Sequence, residues 1–318
     1  MTGGHRGGSA PAERDVTDLK RKLGFALVLS TLALGVAGLF LRRWQLATAV
    51  EPNTGLLTPG QPATAALIAV CVLAAAVLGA LAWALLRGEA PKGYLANLAA
   101  PNLAVGVLTL LAGALLFGAG VLGIRDYLLH LNERVVRLVL AICLVPTGVC
   151  VGLIGLLGQQ RAEARGRFHG ALAVPGYCAC MWLVSSFQGH TANPNVMEYA
   201  FLLVGVSCVI IACYAAASFS FEKPRPILCG FFAAMGVVLM MVAAADRPRG
   251  MDLLTLLGFE GYLLAQLLCL VACRVAPPQL EKWTPPPAKK EADGKTKDAE
   301  ASEEAPERQD QPRGEEDE

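Results

Sequence analysis

The chain has 318 residues, 54% of them hydrophobic and only 17% charged, with a mean hydropathy of +0.49. That balance excludes an ordinary water-soluble domain of this length, where about a quarter of residues are charged. The formal net charge of +1 hides an asymmetry: residues 277–318 carry seven Lys/Arg against thirteen Asp/Glu, leaving 20 basic and 13 acidic groups in residues 1–276.

Residues 1–23 are polar and basic, with Arg6, Arg14, Lys20, Arg21 and Lys22. Apolar runs follow at 24–41, 64–86, 103–124, 138–158, 171–187, 199–221, 227–245 and 253–273. Each approaches the ~20 residues that cross a bilayer's hydrocarbon core. In lipid, backbone polar groups are satisfied only within a helix or a closed barrel, and no period-two alternation runs through these stretches. The expected fold class is therefore all-α: a polytopic transmembrane helical bundle of about eight spans over residues 24–275. Ala47-Thr48-Ala49 after the first span imitates a signal-peptide cleavage site. The preceding apolar core is longer than the ~7–15 residues of a signal h-region, so the span is expected to be a retained anchor. From residue 276 the composition changes to Pro285-Pro286-Pro287 and then Lys, Glu, Asp, Ala and Gln. Such a segment cannot bury enough apolar surface to offset its ordering entropy, and is expected to be a disordered acidic tail over 276–318.

Lys and Arg in short loops bias a loop to the cytoplasm. The amino end, together with Arg87, Lys92, Arg161, Arg165, Arg167, Lys223 and Arg225, puts twelve basic residues on one side; Arg42, Arg43, Arg125, Arg134, Arg137, Arg247 and Arg249 put seven on the other. Both termini are thus expected in the cytoplasm. Trp44, Trp83, Tyr94 and Tyr127 lie near span ends and read as interface anchors.

Small residues recur inside the spans: Gly106, Gly113, Gly118, Gly120 and Gly123 in the third, Gly148, Gly152 and Gly155 in the fourth. They let helix backbones approach closely, and packing drives helix association in lipid, so a compact bundle is expected. Pro146 and Pro175 fall inside spans four and five, where a missing amide hydrogen and a ring clash favour kinks. All ten cysteines lie inside apolar runs and none in a loop, a placement that implies small apolar filler, with neither disulfides nor a metal set.

Three segments could carry function. The first is the polar stretch Ser185 to Tyr199, which joins spans five and six and holds Gln188, His190, Asn193, Asn195 and Glu198. These groups could build a small polar ligand or proton site around His190 and Glu198. The same residues also spell a helix start, through Asn193 before Pro194 or through Asn195 with Glu198 three residues on. The second is Glu260, the only acidic residue well inside a span. At ~100° per residue it falls opposite a small-residue stripe of Gly258, Gly261, Ala265, Cys269 and Ala272. Three roles are open to it: a snorkelling or protonated structural group, a cavity-facing group, or a contact for a partner chain. The third is the loop from Glu51 to Pro62, where Gly and Pro supply turns. It lacks a phosphate-cradling motif, and the chain lacks a dinucleotide fingerprint.

With the stretches Ala47-Thr48-Ala49-Val50-Glu51-Pro52-Asn53-Thr54-Gly55-Leu56 and Gln188 to Tyr199 in view, the spanning region resembles an uncharacterised family of multi-spanning membrane proteins of clostridial bacteria. The resemblance implies a bacterial plasma (inner) membrane and transfers no activity and no site residue.

The functional expectation is a multi-pass protein of permease or channel type for a small polar solute or ion, with His190, Glu198 and Glu260 as the polar or proton-handling set. The alternative is a non-catalytic scaffold or accessory subunit that engages a membrane partner, or a second copy of itself, through Glu260 or the acidic tail. A membrane enzyme using His190 and Glu198 lacks a nucleophile or metal set to work with. No cofactor is expected; the lipid bilayer is the expected partner. Nucleic acid is not, because the basic residues sit around span ends and form no stripe with aromatics.

Overall fold

The computed structural model describes residues 11–49, 51, 58, 60–129, 135–159, 169–190 and 196–279. All belong to the first of two units into which the chain divides, residues 1–282. The expected tail from residue 280 onward and most of the two polar loops lie outside the described residues.

All regular structure among the described residues is helical: α1 (Pro11–Thr48), α2 (Pro62–Leu86), α3 (Tyr94–Leu98), α4 (Leu103–Leu129), α5 (Val135–Leu157), α6 (His169–His190), α7 (Val196–Ser220), α8 (Pro226–Ala244) and α9 (Met251–Val275). Eight of these are long and apolar enough to cross a membrane, and they coincide with the eight expected runs to within a few residues at most ends. Proline opens α2 and α8, where its missing amide hydrogen costs nothing and its φ suits the first turn. α1 starts earlier than its apolar run and extends to 38 residues, about 57 Å at ~1.5 Å per residue, so its polar first turns project beyond a ~30 Å hydrocarbon layer. Pro146 and Pro175 both lie within continuous helices.

Side-chain exposure identifies the solvent. Phe25, Phe40, Val72, Leu111, Ile142, Val204 and Tyr214 are each more than half exposed, and every long helix except α8 carries such residues or others more than a third exposed. On a soluble protein, so much exposed apolar surface would far exceed the few hundred Å² usual for one patch. Lipid accounts for it. The chain is a multi-pass membrane protein.

Six helices close into a ring, α4–α5–α6–α7–α8–α9 and back to α4, with α1 and α2 packed against the outside of α8. The ring's interior is filled: Trp182 of α6 stacks on Phe259 of α9, with ring centroids 5.3 Å apart and planes 13° from parallel. Twelve of the nineteen residues of α8 are buried, which makes it the hinge between the ring and the α1–α2 pair.

The closest packing runs along the glycines. A Cβ on Gly113 would lie 2.7 Å from both the Gly148 oxygen and the Gly152 nitrogen, and one on Gly120 would lie 2.8 Å from the Ala141 oxygen. One on Gly155 would lie 3.2 Å from the Gly106 oxygen. These contacts are backbone to backbone, the arrangement that substitutes for hydrophobic exclusion inside lipid. Gly118 stands apart, its nearest neighbour a Leu254 methyl at 3.8 Å. The small-residue stripe of α9 also packs as expected: Gly258 abuts Leu116 and Gly261 faces Ala112, both on α4.

Candidate functional site

Below Gly258 and Gly261 the same face of α9 continues as Tyr262, Ala265, Gln266 and Cys269, spacings that recur every turn on one side of a helix. Here packing gives way to a cavity of about 20 Å³, bounded also by Tyr94 and Leu98 of α3, Thr109 of α4 and Gly155 at the end of α5. A single water needs ~10–15 Å³, so the chamber admits one molecule of that size.

The lining is mostly apolar and carries no charged group; its hydroxyl and amide side chains are Tyr94, Thr109, Tyr262 and Gln266. Gln266 is 4% exposed and Tyr262 1%. Neither the Gln266 amide nitrogen, nor its oxygen, nor the Tyr262 hydroxyl has a hydrogen-bond partner among the described residues. The phenol lies beside the amide one turn away, outside hydrogen-bond geometry. The Thr109 hydroxyl donates to the Val105 carbonyl at 2.9 Å and keeps accepting capacity. Burial pushes the Tyr94 phenol well above its usual range, so it stays a neutral hydroxyl. Leaving three polar atoms of two buried side chains unpaired costs about 1–3 kcal/mol per group. A fold does not carry that cost in its packed interior without a use or an occupant.

Helix α3 lines the chamber with Tyr94 and Leu98 on the side of the basic end of the bundle. Gly88 and Gly93, at φ of +106° and +103°, turn the chain between α2 and α3 through conformations that disfavour any residue with a Cβ. Asn97, 3% exposed, donates from Nδ2 to the Pro91 carbonyl at 2.6 Å and the Gly93 carbonyl at 2.9 Å. Arg274, in the last turn of α9, donates to the Leu86 and Glu89 carbonyls at 2.9 and 3.0 Å, satisfying the end of α2. The Ala100 amide reaches the Gly158 carbonyl at 3.0 Å. Together these contacts tie the α2–α4 connection to α5 and α9.

A second polar network sits at the opposite end. Arg42, fully buried near the end of α1, donates from Nε to Asp246 Oδ1 at 2.9 Å and from Nη1 to Gln45 Oε1 at 2.8 Å. Gln45 Nε2 donates in turn to Thr64 Oγ1 at 2.9 Å, and the guanidinium lies over the Phe201 ring, 5.2 Å from its centroid. Arg42 and Gln45 thereby join α1, α2, α7 and the α8–α9 connection. Arg137 and Asp252 pair nearby at 2.8 Å, but half in the open.

Of the residues singled out by sequence, His190 ends α6 and Glu198 stands in the first turn of α7; their side chains lie outside the described residues. The α7 boundary at Val196 matches a helix start in the register of Asn195 and Glu198. Glu260 is half-buried, nine residues or about 13 Å into α9. It belongs to a stripe with Leu253, Leu257, Leu264 and Leu268, of which Leu257 is 40% exposed, and it makes no ion pair or hydrogen bond among the described residues. At ~100° per residue, Glu260 and Gln266 point about 120° apart; α9 does not bring them together.

Three things were missed at the level of sequence. Tyr94, expected at the membrane interface, is 7% exposed and lines the chamber. Gln266, an amide deep in an apolar span one turn from a tyrosine, was a legible signal that the charge-centred reading of α9 passed over. Arg42 gave no signal, because a basic residue at a span end looks like any other loop charge. No protein-family model, no curated protein and no solved structure matches the chain.

Proposed function

We propose that this multi-pass protein is of permease or channel type and passes a small polar solute or ion. The supporting observation is the neutral chamber around Tyr262 and Gln266, whose unpartnered polar atoms lie inside the spanning bundle where packing would favour leucine. In this reading the outer polar segment with His190 and Glu198 receives the solute, and Glu260 handles protons. Both termini face the cytoplasm, in keeping with the twelve basic residues on that side. The membrane is a bacterial plasma membrane, following the family resemblance. Reconstituted protein should carry solute or proton flux above that of empty vesicles. Gln266→Leu should reduce solute flux about tenfold, the effect of losing one hydrogen bond worth ~1.4 kcal/mol during passage. Glu260→Gln should remove proton coupling. Equal flux in wild type, variants and empty vesicles would end this reading.

One observation favours a second reading, an accessory subunit. Glu260 sits among lipid-facing leucines, where a carboxylate gains most from a donor on a neighbouring membrane helix. Cross-linking in native membranes would then return a stoichiometric partner lost in Glu260→Leu.

A further inference from the structure

The chamber's donors and acceptors narrow what can occupy it. We infer that it holds one neutral molecule with a single heavy atom that both donates and accepts hydrogen bonds, the chemistry shared by water and ammonia. This deepens the permease reading and rests on it only for the idea that the occupant moves; the site itself stands on geometry.

Size sets the first limit, because about 20 Å³ leaves room for one heavy atom. Hydrogen-bond bookkeeping sets the second. The Gln266 oxygen calls for a donor and its nitrogen for an acceptor, while the Tyr262 hydroxyl takes either role. A bare cation would satisfy the oxygens and be repelled by the amide hydrogens. An anion would satisfy the amide hydrogens and hydroxyls and leave the Gln266 oxygen unpaired. Charge sets the third: no carboxylate, guanidinium or ammonium group lines the chamber, so an ion would enter with its desolvation uncompensated. A neutral amphoteric molecule meets all three conditions. Helix α3, held by Asn97 and flanked by the Arg274 contacts, then lines this molecule's site on the side of the basic end of the bundle.

Water-edited solid-state NMR on the full chain in deuterated lipid bilayers, with uniform ¹⁵N labelling, reads the occupant directly. The Gln266 amide should receive magnetisation from water as readily as the exposed Gln188 amide, and Tyr262→Phe should cause a loss of that transfer at Gln266 alone. Adding ammonium chloride against sodium chloride at fixed pH separates the two sources: a shift of the Gln266 amide signal assigns ammonia, and an unmoved signal with transfer retained assigns water. Transfer at Gln266 no faster than at the backbone amides of Leu263 and Leu267, with no response to ammonium, overturns the inference. Flux is scored separately. An occupied chamber in a protein that moves no solute keeps the site and ends the permease reading; a dry chamber in a conducting protein does the reverse.

Discussion

Gly148→Leu should prevent the α4–α5 hairpin from docking, lowering stability by about 3 kcal/mol or more, at the upper end of overpacking effects. The reason is what the new side chain would strike. A Cβ at this position would fall on the backbone of Phe117, with the Gly113 carbonyl oxygen 2.6 Å away. Flexible side chains can rotate aside; a helix backbone moves only by taking the whole helix with it, which opens the packing along the rest of the seam. Gly113→Leu should behave alike, since its Cβ meets Gly148 and Gly152. Gly118→Ala is the control. Its surroundings are open, and the better helix propensity of alanine should leave stability unchanged or raise it by up to ~1 kcal/mol. Unfolding in mixed detergent micelles, followed by circular dichroism, orders the three variants. Equal midpoints for Gly148→Leu and Gly118→Ala would show that the glycine seam does not hold the two helices together.

Asp246→Ala should be the next most damaging change, by about 3 kcal/mol, the lower end of what breaking a buried ion pair costs. Arg42 is fully buried while the Asp246 side chain is a quarter exposed, so the two deletions are unequal. Without Asp246 the guanidinium keeps its place over Phe201 and its bond to Gln45 but loses the carboxylate on Nε. Without Arg42, as in Arg42→Met, the carboxylate can turn to water or headgroups, and the methionine fills part of the guanidinium's space. Asp246→Ala is therefore expected to melt lower than Arg42→Met. The opposite order would mean that the arginine's packing, and not the pair, carries the effect. The exposed Arg137–Asp252 pair should contribute only ~0–1 kcal/mol when broken, in line with its open setting.

The parts of this architecture that were legible in the sequence are those that lipid imposes on composition. A ~20-residue apolar run is forced by bilayer thickness, so the eight spans could be read almost to their ends. Small residues at Gly113, Gly120, Gly148 and Gly155 announced close packing for the same reason, and the structure puts them backbone against backbone. Helix α3 escaped because five residues hold too little periodicity to register. The chamber escaped because it lies where α3, α4, α5 and α9 meet, beside two polar groups of α9. Neither glycine nor glutamine alone marks such a space; only the crossing of these helices does. Arg42 escaped because sequence places it at a span end, and its burial depends on three distant segments converging there.

Everything rests on eight crossings in alternating sense. Reporter domains that signal only inside or only outside the cell, fused after residues 60, 90, 131, 164, 193, 222, 248 and 279, test that directly. The alternation predicts that fusions after 90, 164, 222 and 279 report the cytoplasmic side and those after 60, 131, 193 and 248 the other. Two successive fusions reporting the same side would contradict it.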